Sequence, residues 1–578
     1  MTTMQPGNRP AVRPLTAGLL ALATVLACAG LALLRLQPPF DYPLPRQFDD
    51  AALVDVRVLS VEPRPRGSAA HQAAREYLVS RLTQLGWQVE QWRGWALPPW
   101  QKAGPPMEVI NIVATLPATV DVTPPVRPGR LLLMAHYDSK RVAPGAGDDA
   151  SGVATVLHVA RELAQRPQRR NEAMILFSDG EEEGLLGAVA FFRDQIDPSS
   201  VDVVLNFEGR GSRGPVVLFE TSGSERWLVD LYARTSPRPV TSSLASDLYR
   251  IMPNATDFTI SKREGVPGLN FAFVGGWINY HRASDTFAQL SGETLRHHLV
   301  QATALGNALI DADLSAARGE DPLVFFDVLS LFVVRYPAGY ASGMAIAATM
   351  MLLGVLTWGI ASERLKLRRV LLTTGALLGV LLLNTLLSWV VVKVVPGAEM
   401  MRTESLAALG FVLLVLSGFA TVDGLLARRV STLELASAGL IIACVVGVVT
   451  GTVLRGGSYL LLLPTVLGTG SLALMAWRCD AARHPLALSA TLLWIGAMAL
   501  VSAGPIYLMH LATVPNVVPP WNPVFPTAPI AVLLTTLLLT TTAPLVRLLA
   551  CGRRWLLPAT AAIGAAACFL VATSPWSV

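Results

Sequence analysis

The sequence predicts an α/β domain built on a doubly wound mixed sheet, followed by an all-α polytopic transmembrane bundle. Three observations predict this. Between Ser68 and Phe207 short apolar runs alternate with stretches of helical periodicity, the pattern of strands connected by crossover helices. Before and after that region lie apolar stretches of about twenty residues, enough to cross a hydrocarbon core of roughly 30 Å. The 578-residue chain is 52% hydrophobic and only 15% charged, with mean hydropathy +0.47, more apolar than soluble globular chains are.

In chain order, Arg9 and Arg13 precede an uninterrupted apolar run from Leu15 to Leu34. The run exceeds the roughly 7 to 15 residues of a signal-peptide core, and no small-residue cleavage site follows before Arg35 and Pro38, so it reads as an uncleaved anchor. Cys28 invites a lipoprotein reading, which Leu26 and the apolar continuation oppose. Residues 1–40 are thus a cytoplasmic N-terminus with a transmembrane anchor at 15–34. Composition then becomes that of a water-soluble domain, 41–321, large enough for one α/β core.

Within that domain Ser68 to Leu85 is a helix with Ala70, Ala74, Tyr77, Leu78, Leu82 and Leu85 on one face, stopped by Gly86. Strands are expected at Trp87 to Trp92 and Val109 to Leu116, then a Pro-rich loop through Pro128. Strand Leu131 to Ala135, a glycine-rich loop, helix Ser151 to Ala164, strand Ala173 to Phe177, helix Gly184 to Asp194 and strand Val203 to Phe207 complete the alternation.

Residues 322–578 read as a membrane domain of about eight transmembrane helices, near 340–360, 370–392, 405–426, 434–454, 458–477, 486–509, 528–549 and 556–573. Arg364, Lys366, Arg368 and Arg369, then Arg428 and Arg429, then Arg478 and Arg483, then Arg547, Arg553 and Arg554 fall in alternate loops. Those loops should be cytoplasmic together with Arg9 and Arg13, and the others carry little beyond Lys393, Arg402 and Arg455. About nine spans then put the domain 41–321 outside the cytoplasm, at a periplasmic or outer face or in an organelle lumen. The net charge of +5 comes without a long basic patch, which excludes a nucleic-acid partner. All five cysteines lie in or beside apolar segments, so the polar domain has no thiol for a disulfide or a Cys-type zinc site.

The candidate chemistry lies between Leu131 and Glu208, in LLLMAHYDS, GAGDDASG, ILFSDGEEEGLLG and VVLNFEG. Strand-like runs stop abruptly at His136, Asp179 and Glu208, and ligand sites of open α/β sheets lie at such strand ends. A later GGWINYHRASDT adds His281. His136, Asp148, Glu182, Glu208 and His281 together offer two imidazoles and three carboxylates to hard or borderline cations. Asp138 can accept the other ring N–H of His136, and Asp148 can bridge two cations while Ser151 caps the helix that follows. Glu182 can ligate while Glu181 takes a proton from water, the division of labour of metal-assisted hydrolysis. Singly, these residues read as an Asx turn, solvated charge, a surface carboxylate or a loop histidine. Five together at strand and loop edges read as a two-metal hydrolase.

With HYDS, GDDASG, EEEGLLG, NFEG and YHRASDT in order, the stretch from Pro63 to Leu299 resembles the di-zinc exopeptidase family that includes aminopeptidase Y, bacterial leucyl aminopeptidases and glutamate carboxypeptidase. It is most similar to the multi-spanning branch, the endoplasmic-reticulum metallopeptidases and fungal vacuolar membrane proteases, through PRPRGSAAH, LNFEGRGSRGP, NATDF and the trailing apolar helices. The resemblance implies two Zn2+ ions per chain, one on His136, Asp148 and Glu208 and the other on Asp148, Glu182 and His281. It also implies Glu181 as general base and a cis peptide between Asp148 and Asp149. Many soluble members carry Asp where this chain has Glu208, which leaves open whether peptides are trimmed from the amino or the carboxyl end, the aminopeptidase being favoured. Arg210 and Arg213 follow Glu208, as binders of a substrate carboxylate or as plain loop charges.

The expected partners are a peptide substrate and the lipid bilayer, with the oligomeric state open. A catalytically inactive module on this fold would have lost ligands, and none is missing here. Glutaminyl-cyclase-like chemistry on the same fold stays open. A transporter would place ionisable residues deep inside its spans, whereas Asp423, Glu434 and Lys393 sit near span ends. The Pro-rich outer loop Val514 to Pro529 could touch the polar domain.

Overall fold

The computed structural model describes residues 12–37, 46–120, 127–223, 226–252, 254–319, 322–394, 404–477, 485–513, 527–541, 543–550 and 555–573. The expectations that rest on Arg9, Arg402, Arg478, Arg483, Arg553, Arg554 and most of the 514–529 loop lie outside the described residues, as does the side chain of Lys393. The chain divides into two compact units, Leu36–Ala338 and the remainder, Met1–Arg35 with Gly339–Val578.

The first unit is organised around a seven-stranded mixed sheet. Its strands are β1 (Gln88–Ala96), β2 (Met107–Leu116), β3 (Arg130–His136), β4 (Glu172–Ser178), β5 (Val203–Gly209), β6 (Arg213–Thr221) and β7 (Gly268–Gly275), in the spatial order β1-β2-β4-β3-β5-β7-β6. The four central strands β4, β3, β5 and β7 run parallel, and β1, β2 and β6 are antiparallel to their neighbours. Parallel central strands are buried on both faces, and β3 shows how the sequence meets that demand. Leu131, Leu133 and Ala135 pack into one apolar cluster with the helices Ser151–Gln165 and Gly292–Leu309. Leu132 and Met134 pack into another with Phe191, Phe192 and Phe258 on the opposite face.

Register places the site. Met134 on β3 pairs with Asn206 on β5, and His136 pairs with Ser178 on β4. Two residues on, His136 and Glu208 therefore emerge level with each other at the carboxyl edge of the sheet, where Asp179 leaves β4.

Several elements differ from the sequence reading. The helix Ala69–Gln84 is capped by Ser68, whose hydroxyl accepts from His71 N. The expected helix 184–194 is instead a tight turn over Glu181–Glu183, a short helix Leu186–Ala190 and a wider turn Phe191–Gln195. Leu185 is forced to φ 59° there, because Leu186 N and Gly187 N reach back to the carbonyls of Gly180 and Asp179. Ser151 does not cap its helix: its hydroxyl donates to Gly147 O at 2.8 Å, and Asp149 accepts from Gly152 N at 2.9 Å in its place. A hairpin that the apolar pattern concealed, β8 (Leu323–Val328) and β9 (Phe332–Pro337), belongs to this unit, so the unit runs past Asp321 to Ala338.

The second unit is helical. Among the described residues seven helices are long and apolar enough to cross a membrane: Leu15–Leu36, Tyr340–Ala361, Leu367–Val391, Leu406–Leu426, Thr432–Val453, Tyr459–Trp477 and Pro485–Met509. The stretch read as one span at 528–549 contains helices Thr527–Thr541 and Ala543–Leu549, and the last apolar helix, Leu556–Thr573, is shorter than those seven. Polar contacts tie helices together, as buried polar groups in lipid require. Ser471 and Thr491 hydroxyls meet at 2.9 Å, and Asp423 pairs with Arg547 at 2.7 Å.

Two buried histidines of the sheet domain make its stability depend on pH. His297 accepts from Val216 N at 3.0 Å and its Nε2 faces Arg238 O at 3.1 Å. His298 sits fully buried, edge-on to Phe207 and Phe273. Burial lowers His297 to about 4 and His298 to about 3 from the ordinary 6.5. A folded value below the unfolded one means that this stability is fully present above about pH 6.5 and is lost as pH falls toward 4. Thermal unfolding should therefore shift to lower temperature between pH 7 and 4.5, and His298→Leu should flatten that slope. An unchanged slope would remove His298 from the acid response.

Candidate metal centre

His136 ends β3 with both ring nitrogens engaged: Nδ1 lies 3.3 Å from Asp138 Oδ1, while Nε2 lies 3.0 Å from Asp148 Oδ1 and 3.7 Å from Glu208 Oε2. Asp138 also accepts from the backbone N–H groups of Glu181 and Glu182, each at 3.2 Å. One carboxylate thus joins the end of β3 to the glutamate turn.

Asp148 is presented by the turn Ala146–Ala150, whose Asp148–Asp149 peptide is cis, as the resemblance implies. The turn is held from outside by Asp285, which accepts from Gly147 N at 2.8 Å and Asp148 N at 3.2 Å. Gly147 has no alternative, since a β-carbon there would lie 2.0 Å from Gly211 O.

The three glutamates diverge. Glu182 Oε2 lies 3.1 Å from His281 Nε2 and 2.9 Å from Lys140 Nζ. Glu183 points away to Arg66, at 2.6 Å. Glu181 faces His136, Glu208, Glu182 and Asp257, and desolvation with the neighbouring negative charges pushes its carboxyl well above the usual range, against the pull of His136. His281 has φ 59° and stacks on Tyr280 with ring centroids 3.7 Å apart. Its Nε2 also lies 3.1 Å from Asp148 Oδ2. Burial opposes charge on that imidazole, but Glu182 and Asp148 outweigh it and push it up to about 9.

Two triads result, His136 with Asp148 and Glu208, and Asp148 with Glu182 and His281, each with its donor atoms within 4.8 Å of one another. They share Asp148. Whether this set suits a cation can be judged from its own atoms. Asp148 Oδ2, Glu182 Oε1 and His281 Nε2 are buried and make no hydrogen bond. Buried polar atoms in a folded protein find partners, and the carboxylates and imidazoles that converge here match the donor chemistry of zinc. The residues fit.

Other residues that build the site were not singled out from the sequence. Asn206 donates to Glu208 Oε1 at 3.2 Å and to Asn270 Oδ1 at 3.0 Å, and Asn270 donates to Glu220 Oε2 at 3.1 Å. Asp257, from NATDF, accepts from Ser178, and burial pushes it up to about 6. Arg64 is buried and donates to the carbonyls of Tyr137, Leu59, Pro144 and Gly145. For Asn206, Asp257 and Arg64 the signal was motif membership without a spacing rule, and Asn270 and Glu220 lie in no such motif. Asp179, one of the strand ends noted in the sequence, turns outward to His71 Nε2 at 3.0 Å and Ile110 N at 2.7 Å. Arg210 stands over Tyr280 at 5.7 Å, and Arg213 is exposed at the head of β6.

Known proteins match this part of the chain. Peptidase family M28 matches residues 111–305. Endoplasmic reticulum metallopeptidase 1 of Homo sapiens is 31% identical over 235 residues, covering 39% of this chain and 26% of that protein. Vacuolar membrane protease of Lachancea thermotolerans is 28% identical over 321 residues, covering 51% of this chain and 32% of that protein. The chain thus spans between a quarter and a third of the length of these relatives. Among solved structures, the Bacillus subtilis zinc aminopeptidase BSAP aligns with 49% of this chain and 98% of its own, at 15% identity and a TM-score of 0.38.

If the two triads bind cations, zinc added to chelator-stripped protein should raise its unfolding temperature in a saturable way. Ligand-linked stabilisation reaches about 2.7 kcal/mol at a hundred-fold excess over Kd. No shift at any zinc concentration would exclude the site.

Proposed function

We propose that the chain, whose residues 111–305 match peptidase family M28, is a membrane-anchored di-zinc exopeptidase that hydrolyses the peptide bond at a chain end. The observation that carries this reading is the pair of triads sharing Asp148. His136, Asp148 and Glu208 would hold one Zn2+ and Asp148, Glu182 and His281 the other. When bound, such ions supply Lewis acidity, polarising a carbonyl and acidifying water.

This chain's own residues do the rest. Asp138, ionised and bonded to His136 Nδ1, fixes the ring so that Nε2 faces Asp148 and Glu208. Lys140, paired with Glu182, balances part of the acidic charge. Glu181 is the free carboxylate of the turn, since Glu182 and Glu183 have other partners. It takes the proton of the attacking water and returns it to the leaving nitrogen. Trimming from the amino end is the first reading, carboxyl-end trimming the second.

The arginine pattern supports an extracytoplasmic sheet domain, and relatives named for the endoplasmic reticulum and the vacuolar membrane support a membrane setting. A membrane-impermeant maleimide should then label a cysteine placed at exposed Val142, but not one placed at Arg364, in sealed vesicles whose extracytoplasmic face is outward. The reverse labelling pattern would invert the topology.

Glu181→Gln should keep both metals and the fold yet lose about 10² to 10⁴ in turnover, because the amide cannot accept a proton. Glu182→Gln should first weaken zinc binding, by about ten-fold or more, and recover activity with added zinc. Glu183→Gln, which loses only a half-buried pair with Arg66, should cost under about 1 kcal/mol. Metal analysis with peptide kinetics checks all three, and an inactive Glu183→Gln beside an active Glu181→Gln would refute the assignment of base and ligand.

A further inference from the structure

Arg210 follows Glu208 and Gly209 off the end of β5. Its backbone N–H still bonds Phe273 O at 3.0 Å, so the strand alternation continues and Asn206, Glu208 and Arg210 share one face. That is the face on which Glu208 meets His136. The guanidinium carbon stands 5.7 Å above the ring of Tyr280, and that ring stacks at 3.7 Å on His281. Arg210 is therefore separated from the triad of Asp148, Glu182 and His281 by a single aromatic ring.

Its charge is also uncommitted. Comparable arginines of this domain are neutralised by carboxylates, Arg66 by Glu183, Arg81 by Asp55 and Arg130 by Glu172. Among the described residues Arg210 makes no ion pair, although it is only partly exposed. A guanidinium positioned over an aromatic ring without a carboxylate partner keeps its forked donors available, and that fork receives a carboxylate with two parallel hydrogen bonds.

We infer that Arg210 reads a carboxylate of the substrate, a free carboxyl terminus or an acidic side chain next to the cleaved bond. This rests on the peptidase reading and narrows its substrate class to anionic peptides. A site built to bond a carboxylate rejects the isosteric amide, because the guanidinium is then left without its charged partner.

The test uses full-length, zinc-loaded protein and two matched pairs of substrates. Ala-Ala against Ala-Ala-amide reports the carboxyl terminus, and Glu-Ala-amide against Gln-Ala-amide reports the side chain. In the unmodified protein one acid-to-amide ratio of kcat/KM should be about ten-fold or more, carried by KM. That ratio should fall to near one in Arg210→Gln, with zinc content unchanged. In Arg210→Lys, which keeps the charge but loses the fork, it should fall only partly, and this variant carries the test if Arg210→Gln does not fold. Ratios near one for both pairs, or a ratio that survives Arg210→Gln, would overturn the inference. So would a loss of zinc in step with the ratio, since Arg210 would then be acting on the metal centre. If no peptide is cleaved, the peptidase reading falls, and calorimetry with succinate and succinamide decides Arg210 separately. Weaker succinate binding in Arg210→Gln supports the carboxylate site, and equal binding overturns it.

Discussion

The carboxylate of Asp138 is the interaction on which the rest of the centre depends. Within hydrogen-bond reach of its two oxygens lie the ring of His136 and the backbone N–H groups of Glu181 and Glu182. Burial works against its charge, but the bond to His136 and the backbone donor hold its carboxyl below the usual range. An ionised Asp138 sets the tautomer of His136, so that Nε2 presents a lone pair to the cluster. It also fixes where the glutamate turn begins, and with it which glutamate faces inward. One side chain thus aligns a residue of the first parallel strand with residues that follow the next.

Around that point the protein gathers carboxylates that would repel each other unless held. Asp148, Glu181, Glu182 and Glu208 converge where β3, β4 and β5 end, with Asp257 close behind. The fold restrains them from outside. Asp285 grips the Asp148 turn through its amides, and the chain from Asn206 through Asn270 to Glu220 and Lys262 steadies Glu208 from below. Arg64 closes the loop in front by satisfying four backbone carbonyls that burial would otherwise leave without donors. Behind them, the two apolar clusters on opposite faces of the sheet supply the rigidity on which such geometry relies.

Much of this was legible in the sequence, for identifiable reasons. Strands such as β3 are continuous apolar runs because both their faces are covered, and His136 and Glu208 are visible as the polar residues that end such runs. His281 was visible only through its motif. The strand β7 that precedes it, Gly268–Gly275, and the antiparallel edge β6 were not read, because Asn270, which forms a buried polar pair with Asn206, interrupts the pattern of β7, and Gly214 and Pro215 break that of β6. The turn at Glu181–Glu183 looked like a helix start because acidic residues favour one, but backbone bonds to Asp179 and Gly180 carbonyls impose a tighter path. Long-range partners such as Asp285 and Arg64 lie 138 and 81 residues from the groups that they hold, and no local periodicity encodes that distance.

The hairpin β8–β9 ends at Pro337, and the helix Tyr340–Ala361 begins three residues later. At its other end the sheet domain is continuous, through Leu36, with the helix Pro14–Leu36. A domain joined to apolar helices at both ends is fastened at two points. A single proteolytic nick cannot shed it, so shedding would require two cuts, and a domain so fastened moves only in the plane of the membrane. Its working concentration is then set by membrane area and not by the volume of the compartment.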